Sequence, residues 1–237
     1  MNKIKSVLFV AGILLALVFT FGCSSDDGGD NSGGGSDGPC PNVVTSNGTV
    51  RCGGQTYKTV EIGNQVWMAE NLNYNAKGSV CYEKKESNCK KYGRLYDWAT
   101  AQGGICPSGW HIPSDDDWNV LMKTVNPSCS DNSGETCDTG TKLKAREGWD
   151  SYTGDKHGPV PPSTNEFGFS ALPGGRYNYD GDVFSAVGLA GQWWSSTESE
   201  YDSDNARYLY IRYDYEFAVL GFKNKYDQYS VRCVKDD

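Results

Sequence analysis

The apolar positions of this chain change their period along its length. Val7–Phe21 is one unbroken apolar run behind Lys3 and Lys5. It is short for a membrane span and reads as the hydrophobic core of an export signal. Ser24–Gly38 then holds only Ser, Asp, Asn and Gly. Such a stretch cannot bury surface and predicts a flexible tether about 20 Å across. From Thr56 to Leu72, two β-prone runs flank Gly63-Asn64, the signal of a two-residue hairpin. Order is expected to begin near Cys52.

Helical spacing follows. Tyr92–Gly104 predicts a short helix stopped by its Gly pair. Trp118, Leu121, Met122 and Val125 recur at i, i+3, i+4 and i+7, which is one apolar helical face. Ser114 stands before three aspartates. A serine there suits an N-cap, and the acids suit the positive end of the helix dipole. Asn126-Pro127 ends this helix. Gly140–Trp149 predicts a further short helix ended by Gly148.

The rest of the chain reads as strands. Asn165–Tyr177 is strand and turn, with Gly174-Gly175 turning the chain. Gly191–Ser199 is a strand entering a polar loop, and Ala206–Tyr213, Phe217–Phe222 and Tyr229–Val234 are further strands. In Ala206–Tyr213, Tyr208, Tyr210 and Arg212 share one face, while Leu209, Ile211 and Tyr213 share the other. One face must be core. Two or three helices followed by antiparallel strands predict an α+β fold.

Composition sharpens this picture. Apolar residues make up 38%, a low share, but seven Trp and fifteen Tyr compensate, so the core should be aromatic. All seven Trp lie between Trp67 and Trp194, and Trp98, Trp110, Trp118, Trp193 and Trp194 are expected to pack in it. The net charge is -8. Removing residues 1–22 with Lys3 and Lys5 leaves 20 basic against 30 acidic residues, near -10. That argues against a nucleic-acid partner and against an electrostatic grip on anionic lipid.

Nine cysteines are an odd number for an exported chain: Cys23, Cys40, Cys52, Cys81, Cys89, Cys106, Cys129, Cys137 and Cys233. The segment "TFGC" resembles a bacterial lipoprotein signal, which implies cleavage before Cys23 and lipid on its thiol. Thr20 and Phe21 depart from that pattern, and an ordinary secretory cut after Gly22 is the other reading. Eight cysteines then remain for disulfides, with on the order of 100 possible pairings. Closeness in sequence suggests Cys40–Cys52, Cys81–Cys89 and Cys129–Cys137, leaving Cys106–Cys233.

Candidate chemistry is sparse. His111 precedes the helix cap, and the other histidine, His157, is distant in sequence, so neither a zinc site nor a triad with Ser108 or Asp115 is indicated. Gly34–Gly38 fits G-x-S-x-G but lacks the strand and helix that motif needs. Acidic loops at Asn178–Asp182 and Tyr201–Asn205 offer oxygens for calcium without completing an EF-hand pattern. No metal and no cofactor are expected. The suggestive surface feature is tyrosine: seven of the fifteen lie in the last 37 residues. Tyr208, Tyr210 and Arg212, with Tyr177 and Tyr179, are the candidate ligand-binding residues, since flat amphipathic rings serve recognition.

The segments "GNQVWMAENLNY", "YGRLYDWATA", "CPSGWHIPSDDDW", "LKAREGW", "GFSALPGGRY", "WWSSTES" and "SVRCVKD" occur here in that order. Together they resemble the Fibrobacter succinogenes major paralogous domain, over about residues 55–235. The resemblance implies an exported protein or lipoprotein and carries no established activity. The motif order is also distantly similar to C-type-lectin-like and sulfatase-modifying-factor folds. That implies a small twisted antiparallel sheet flanked by two or three short helices and stapled by disulfides. A Cys106–Cys233 bridge suits such a fold. The chain lacks the E-P-N or Q-P-D and W-N-D triplets of sugar-binding C-type lectins, and gives no reason to transfer the oxidase cysteines of formylglycine-generating enzymes.

The expected organisation is a lipoprotein signal at 1–22, a tether at 23–50 and one domain at 51–237. The expected role is non-catalytic binding or display at the cell surface, on the outer membrane through the lipid anchor alone. Extracellular polysaccharide or a surface protein is the expected partner. Variable function is expected on loops 150–164, 177–187 and 199–206. The rivals are a structural envelope protein and an enzyme using His111 or a free thiol.

Overall fold

The computed structural model of the chain describes residues 48–128, 137–151 and 160–237. The signal, the tether, Cys23, Cys40, Cys129, His157 and the G-x-S-x-G stretch lie outside the described residues. Among those described, no helix is long and apolar enough to cross a membrane.

The domain mixes helix and antiparallel sheet, and strands dominate. A five-stranded sheet has the order β1-β2-β3-β10-β4. Its strands are β1 (Thr49–Cys52), β2 (Gln55–Ile62), β3 (Gln65–Met68), β10 (Val234–Lys235) and β4 (Trp110–His111). β5 (Gly174–Asn178) and β6 (Val183–Val187) form a hairpin. β7 (Ala190–Glu198), β8 (Asn205–Arg212) and β9 (Ala218–Asn224) form a third sheet. The helices are short: α1 (Glu86–Tyr92), α2 (Trp98–Gln102), α3 (Asp115–Val125) and α4 (Thr139–Leu143). The one small sheet expected is therefore divided into three.

Local chemistry explains most boundaries. β2 and β3 pair with Ile62 opposite Gln65, so Gly63-Asn64 is the hairpin loop, and Gly63 takes the positive φ such a turn requires. α3 starts at Ser114, whose hydroxyl accepts from the Asp117 amide while the Asp117 carboxylate takes the Ser114 amide. Three readings are corrected. The helix expected over 92–104 begins only at Trp98, because Gly93 ends α1 and Leu95 pairs with Val80, leaving Asp97 to cap α2. The helix expected over 140–149 stops at Leu143, where Lys144 turns extended and pairs with Ala171. Gly174-Gly175 opens β5 instead of turning the chain. A Cβ on Gly175 would sit 2.5 Å from the Ser185 carbonyl oxygen, so the tight β5–β6 pairing selects glycine there. In Tyr229–Val234, only Val234 lies in a named strand; Tyr229 and Ser230 make single bridges to Tyr96 and Trp193.

Two aromatic cores result, one on each side of the strands. Neighbouring side chains on a strand point to opposite faces. Trp193 accordingly enters the core of Trp67, Trp118, Leu121, Phe169, Leu209 and Ile211. Trp194 enters the core of Tyr57, Met68, Leu72, Tyr96, Trp110 and Tyr229. Trp67 and Trp118 stack at 4.7 Å. Of the five Trp expected to pack, only Trp98 is partly exposed.

The core around Trp193 also holds a buried cation. Arg232 is fully enclosed and stacks over Phe169 at 4.2 Å. Its guanidinium donates to the Asn71 side-chain oxygen, to the Phe169 carbonyl and to the Ser170 carbonyl.

Burial of tyrosine hydroxyls in the core around Trp194 gives an alkaline limit. Burial pushes Tyr57 up to about 12 and raises Tyr96 and Tyr229 as well. Unfolded tyrosine titrates near 10, on the order of its free value. The native state thus holds protons that the unfolded state releases. The associated stability is complete below pH ~10 and is lost as pH climbs towards ~12. We expect these tyrosines to ionise only with cooperative unfolding, followed by tyrosinate absorbance beside circular dichroism. Titration of all fifteen tyrosines with the native spectrum intact would contradict this.

Candidate functional site

The β7-β8-β9 sheet carries the tyrosine face. Along β8, Leu209 and Ile211 are fully buried, while Tyr208, Tyr210 and Arg212 are partly exposed. Tyr208 lies between Trp194 on β7 and Gly221 on β9, and Tyr210 between Gln192 and Val219. A Cβ on Gly221 would stand 2.9 Å from the Tyr208 ring, so the missing side chain lets that ring lie on β9. Tyr208 packs against Tyr229 at 5.0 Å and against the edge of Tyr210 at 6.3 Å.

Residues 227–230 run beside this face. Ser230 pairs with Trp193 and Gln228 with Tyr177, which draws the β5–β6 hairpin alongside. The Asp227 carboxylate accepts from the Tyr179 amide at 3.0 Å. Tyr179 and Tyr226 are 58% and 64% exposed. Their rings lie 5.3 Å apart and tilted by 34°. Tyr177 donates its hydroxyl to Asp182.

Polar groups sit behind the rings. Gln192 is 1% exposed, yet neither atom of its amide has a hydrogen-bond partner among the described residues. The amide comes up to the Tyr208 hydroxyl without reaching bonding geometry. The Tyr229 hydroxyl is likewise buried and unpartnered, with Arg176 nearby. Burial raises the Tyr208, Tyr210 and Tyr229 hydroxyls; the Arg176 charge opposes this at Tyr208 and Tyr229, and Asp227 reinforces it there. Arg176 and Asp227 therefore both border the Tyr208 and Tyr229 hydroxyls. Arg176 uses its Nε on Ser185 and makes no ion pair among the described residues.

Of the candidates from sequence, Tyr208, Tyr210, Tyr177 and Tyr179 flank this one region. Arg212 lies on the same face but is engaged elsewhere, paired with Asp214 at 2.8 Å and lying over the Tyr215 ring. Sequence reasoning missed Tyr226, Gln192, Arg176 and Asp227. The signal available for Gln192 was its place beside Trp193-Trp194, a polar residue at a core-facing register.

The other candidate groups make contacts within the fold. His111 sits with Nδ1 2.6 Å from Asp236 and Nε2 3.3 Å from Asp117, and the Ser114 hydroxyl donates to Asp117, not to the imidazole. Cys81, Glu86 and Cys89 come together, but the two cysteines are joined in a disulfide. Cys106–Cys233 is bridged as well. Cys52 and Cys137 are also disulfide-bonded; the partners expected for them, Cys40 and Cys129, lie outside the described residues. Both acidic loops spend side-chain oxygens on their own turns: Asn178 accepts from the Gly181 amide, and Asp202 from Asp204 and Asn205. In loop 177–187, residues from Val183 onward form β6, and residues 152–159 of loop 150–164 lie outside the described residues.

The family model described as Fibrobacter succinogenes major domain matches residues 60–235. The chain belongs to this family. No curated protein and no solved structure matches it.

Proposed function

We propose that this member of the Fibrobacter succinogenes major domain family is an exported, non-catalytic binding module that captures polysaccharide at the cell surface. In this reading the signal at 1–22 is cleaved, Cys23 carries lipid, and residues 23–50 hold the domain off the outer membrane. Disulfides fit an oxidising compartment outside the cytoplasm. The fold we propose is C-type-lectin-like; its support is the Cys106–Cys233 bridge, which ties the chain end to the segment before α3.

The observation that carries the binding reading is the Tyr179–Tyr226 pair: two rings more than half exposed, held together beside Asp227. Exposed rings next to polar groups suit sugars, whose apolar faces stack while their hydroxyls take hydrogen bonds. The non-catalytic reading rests on the disulfide-bonded cysteines and on both ring nitrogens of His111 being occupied by carboxylates.

The test uses the full chain, exported and purified with its disulfides formed, on a panel of plant and bacterial polysaccharides with calcium and with chelator. Saturable binding to one class is expected, and Tyr179→Ala with Tyr226→Ala should weaken it about tenfold or more. No binding to any member of the panel sinks the proposal and turns attention to protein partners.

A further inference from the structure

The buried Gln192 amide approaches the Tyr208 hydroxyl but completes no hydrogen bond among the described residues, and an unpaired buried amide is costly. A ligand hydroxyl would satisfy both atoms of the amide. Gln192 lies directly opposite Tyr210, on the same face as Tyr208 and Trp194. Both tyrosines flanking it are only partly buried. The Tyr229 hydroxyl is a second unpartnered group on this face. The charged side chains bordering these hydroxyls come as cation and carboxylate together: Arg176 and Asp227 at Tyr208 and Tyr229, and Arg212 and Asp214 at Tyr210.

We infer that Gln192 is a specificity-determining residue of the proposed saccharide site, and that the ligand is an uncharged sugar presenting adjacent hydroxyls. The inference rests on the binding reading above. One amide offers a donor and an acceptor side by side, which matches a pair of neighbouring hydroxyls that each donate and accept. Arg176 adds donors and Asp227 adds an acceptor, and their opposite charges leave no net field to select an anionic sugar. The ligand displaces the Tyr208 or Tyr210 ring to reach the amide. Trp194, opposite Tyr208, reports that movement.

The experiment is calorimetry on the full chain with neutral gluco-, manno-, galacto- and xylo-oligosaccharides, and with oligo-galacturonate as the charged probe. Tryptophan fluorescence is read in parallel. We expect a neutral probe to bind with a fluorescence change. Gln192→Leu should weaken it by more than about tenfold. The same substitution should leave the melting temperature unchanged or raised, since it removes an unpaired buried polar group. A loss of affinity in a less stable variant would indicate misfolding and overturn the assignment. Unchanged affinity in Gln192→Leu, with loss in the Tyr179/Tyr226 variant, overturns this inference and leaves the binding reading standing. Tighter binding of the galacturonate probe overturns the uncharged class. No binding by any probe overturns both readings.

Discussion

Replacing Cys106 and Cys233 together by Ala should cost about 5 kcal/mol of stability. The two residues stand 127 apart in sequence, so the bond closes a loop of more than half the chain. In the chain-entropy account the bond acts on the unfolded state, which loses most freedom when the closed loop is long. The native state adds a local reason. β10 is only two residues, inserted between β3 and β4, with Val234 opposite both Trp67 and His111. Two short ladders hold that strand poorly without the neighbouring covalent tie. Denaturant unfolding of the double variant against the parent measures the loss. Cys81–Cys89, separated by 8 residues, is the control. The same account gives it about 2.5 kcal/mol, roughly half. Equal losses at the two bridges would reject the entropic explanation.

The bridge, the β2–β3 hairpin and the α3 cap were legible because each is written in adjacent or singular residues. Gly63-Asn64 dictates its turn, Ser114 and Asp117 dictate the cap, and proximity pairing of the other cysteines leaves Cys106 with Cys233. The alternation of β8 was legible too, since Leu209 and Ile211 allow only one buried face. What stayed hidden depends on distant partners. α1, Glu86–Tyr92, has no apolar stripe; it is positioned by burying only Cys89 and Tyr92, and by the Cys81–Cys89 bond. Lys144 reads as a surface lysine, yet it is fully buried, with its amine donating to the Tyr213 and Tyr215 carbonyls. Burial lowers that amine to about 8. No local rule places a lysine there; two carbonyls some seventy residues later do. The candidate site shows the same division. Most of its tyrosines were visible as a cluster in sequence, whereas Gln192 joins them through the β7–β8 register that sets it opposite Tyr210, and Arg176 and Asp227 through the pairing of Gln228 with Tyr177.

Asn71→Leu should cost about 3–5 kcal/mol, because it strips a buried cation of its side-chain acceptor. Asn71 is 4% exposed. Its side-chain oxygen accepts from Arg232 at 2.7 Å and from the Trp193 indole at 2.8 Å, and its amide donates to the Tyr92 carbonyl at 2.8 Å and to the Ser230 hydroxyl at 3.4 Å. No carboxylate lies within ion-pair distance of Arg232 among the described residues, so Asn71 and two backbone carbonyls carry the guanidinium. Leucine preserves volume and loses all four bonds. Each orphaned neutral group costs about 1–3 kcal/mol and the charged one more. Asn71→Asp separates charge from shape: it keeps the acceptor for Arg232 and Trp193, adds an opposite charge, and gives up the amide's bonds to Tyr92 and Ser230. Its expected loss is less than half that of Asn71→Leu at neutral pH. Thermal or denaturant unfolding of both variants decides the matter. Equal losses would mean that packing, not the stranded arginine, sets the cost. The expected order would identify "AENL" and "SVRC" as two ends of one buried polar contact, joining residues 161 apart in the chain.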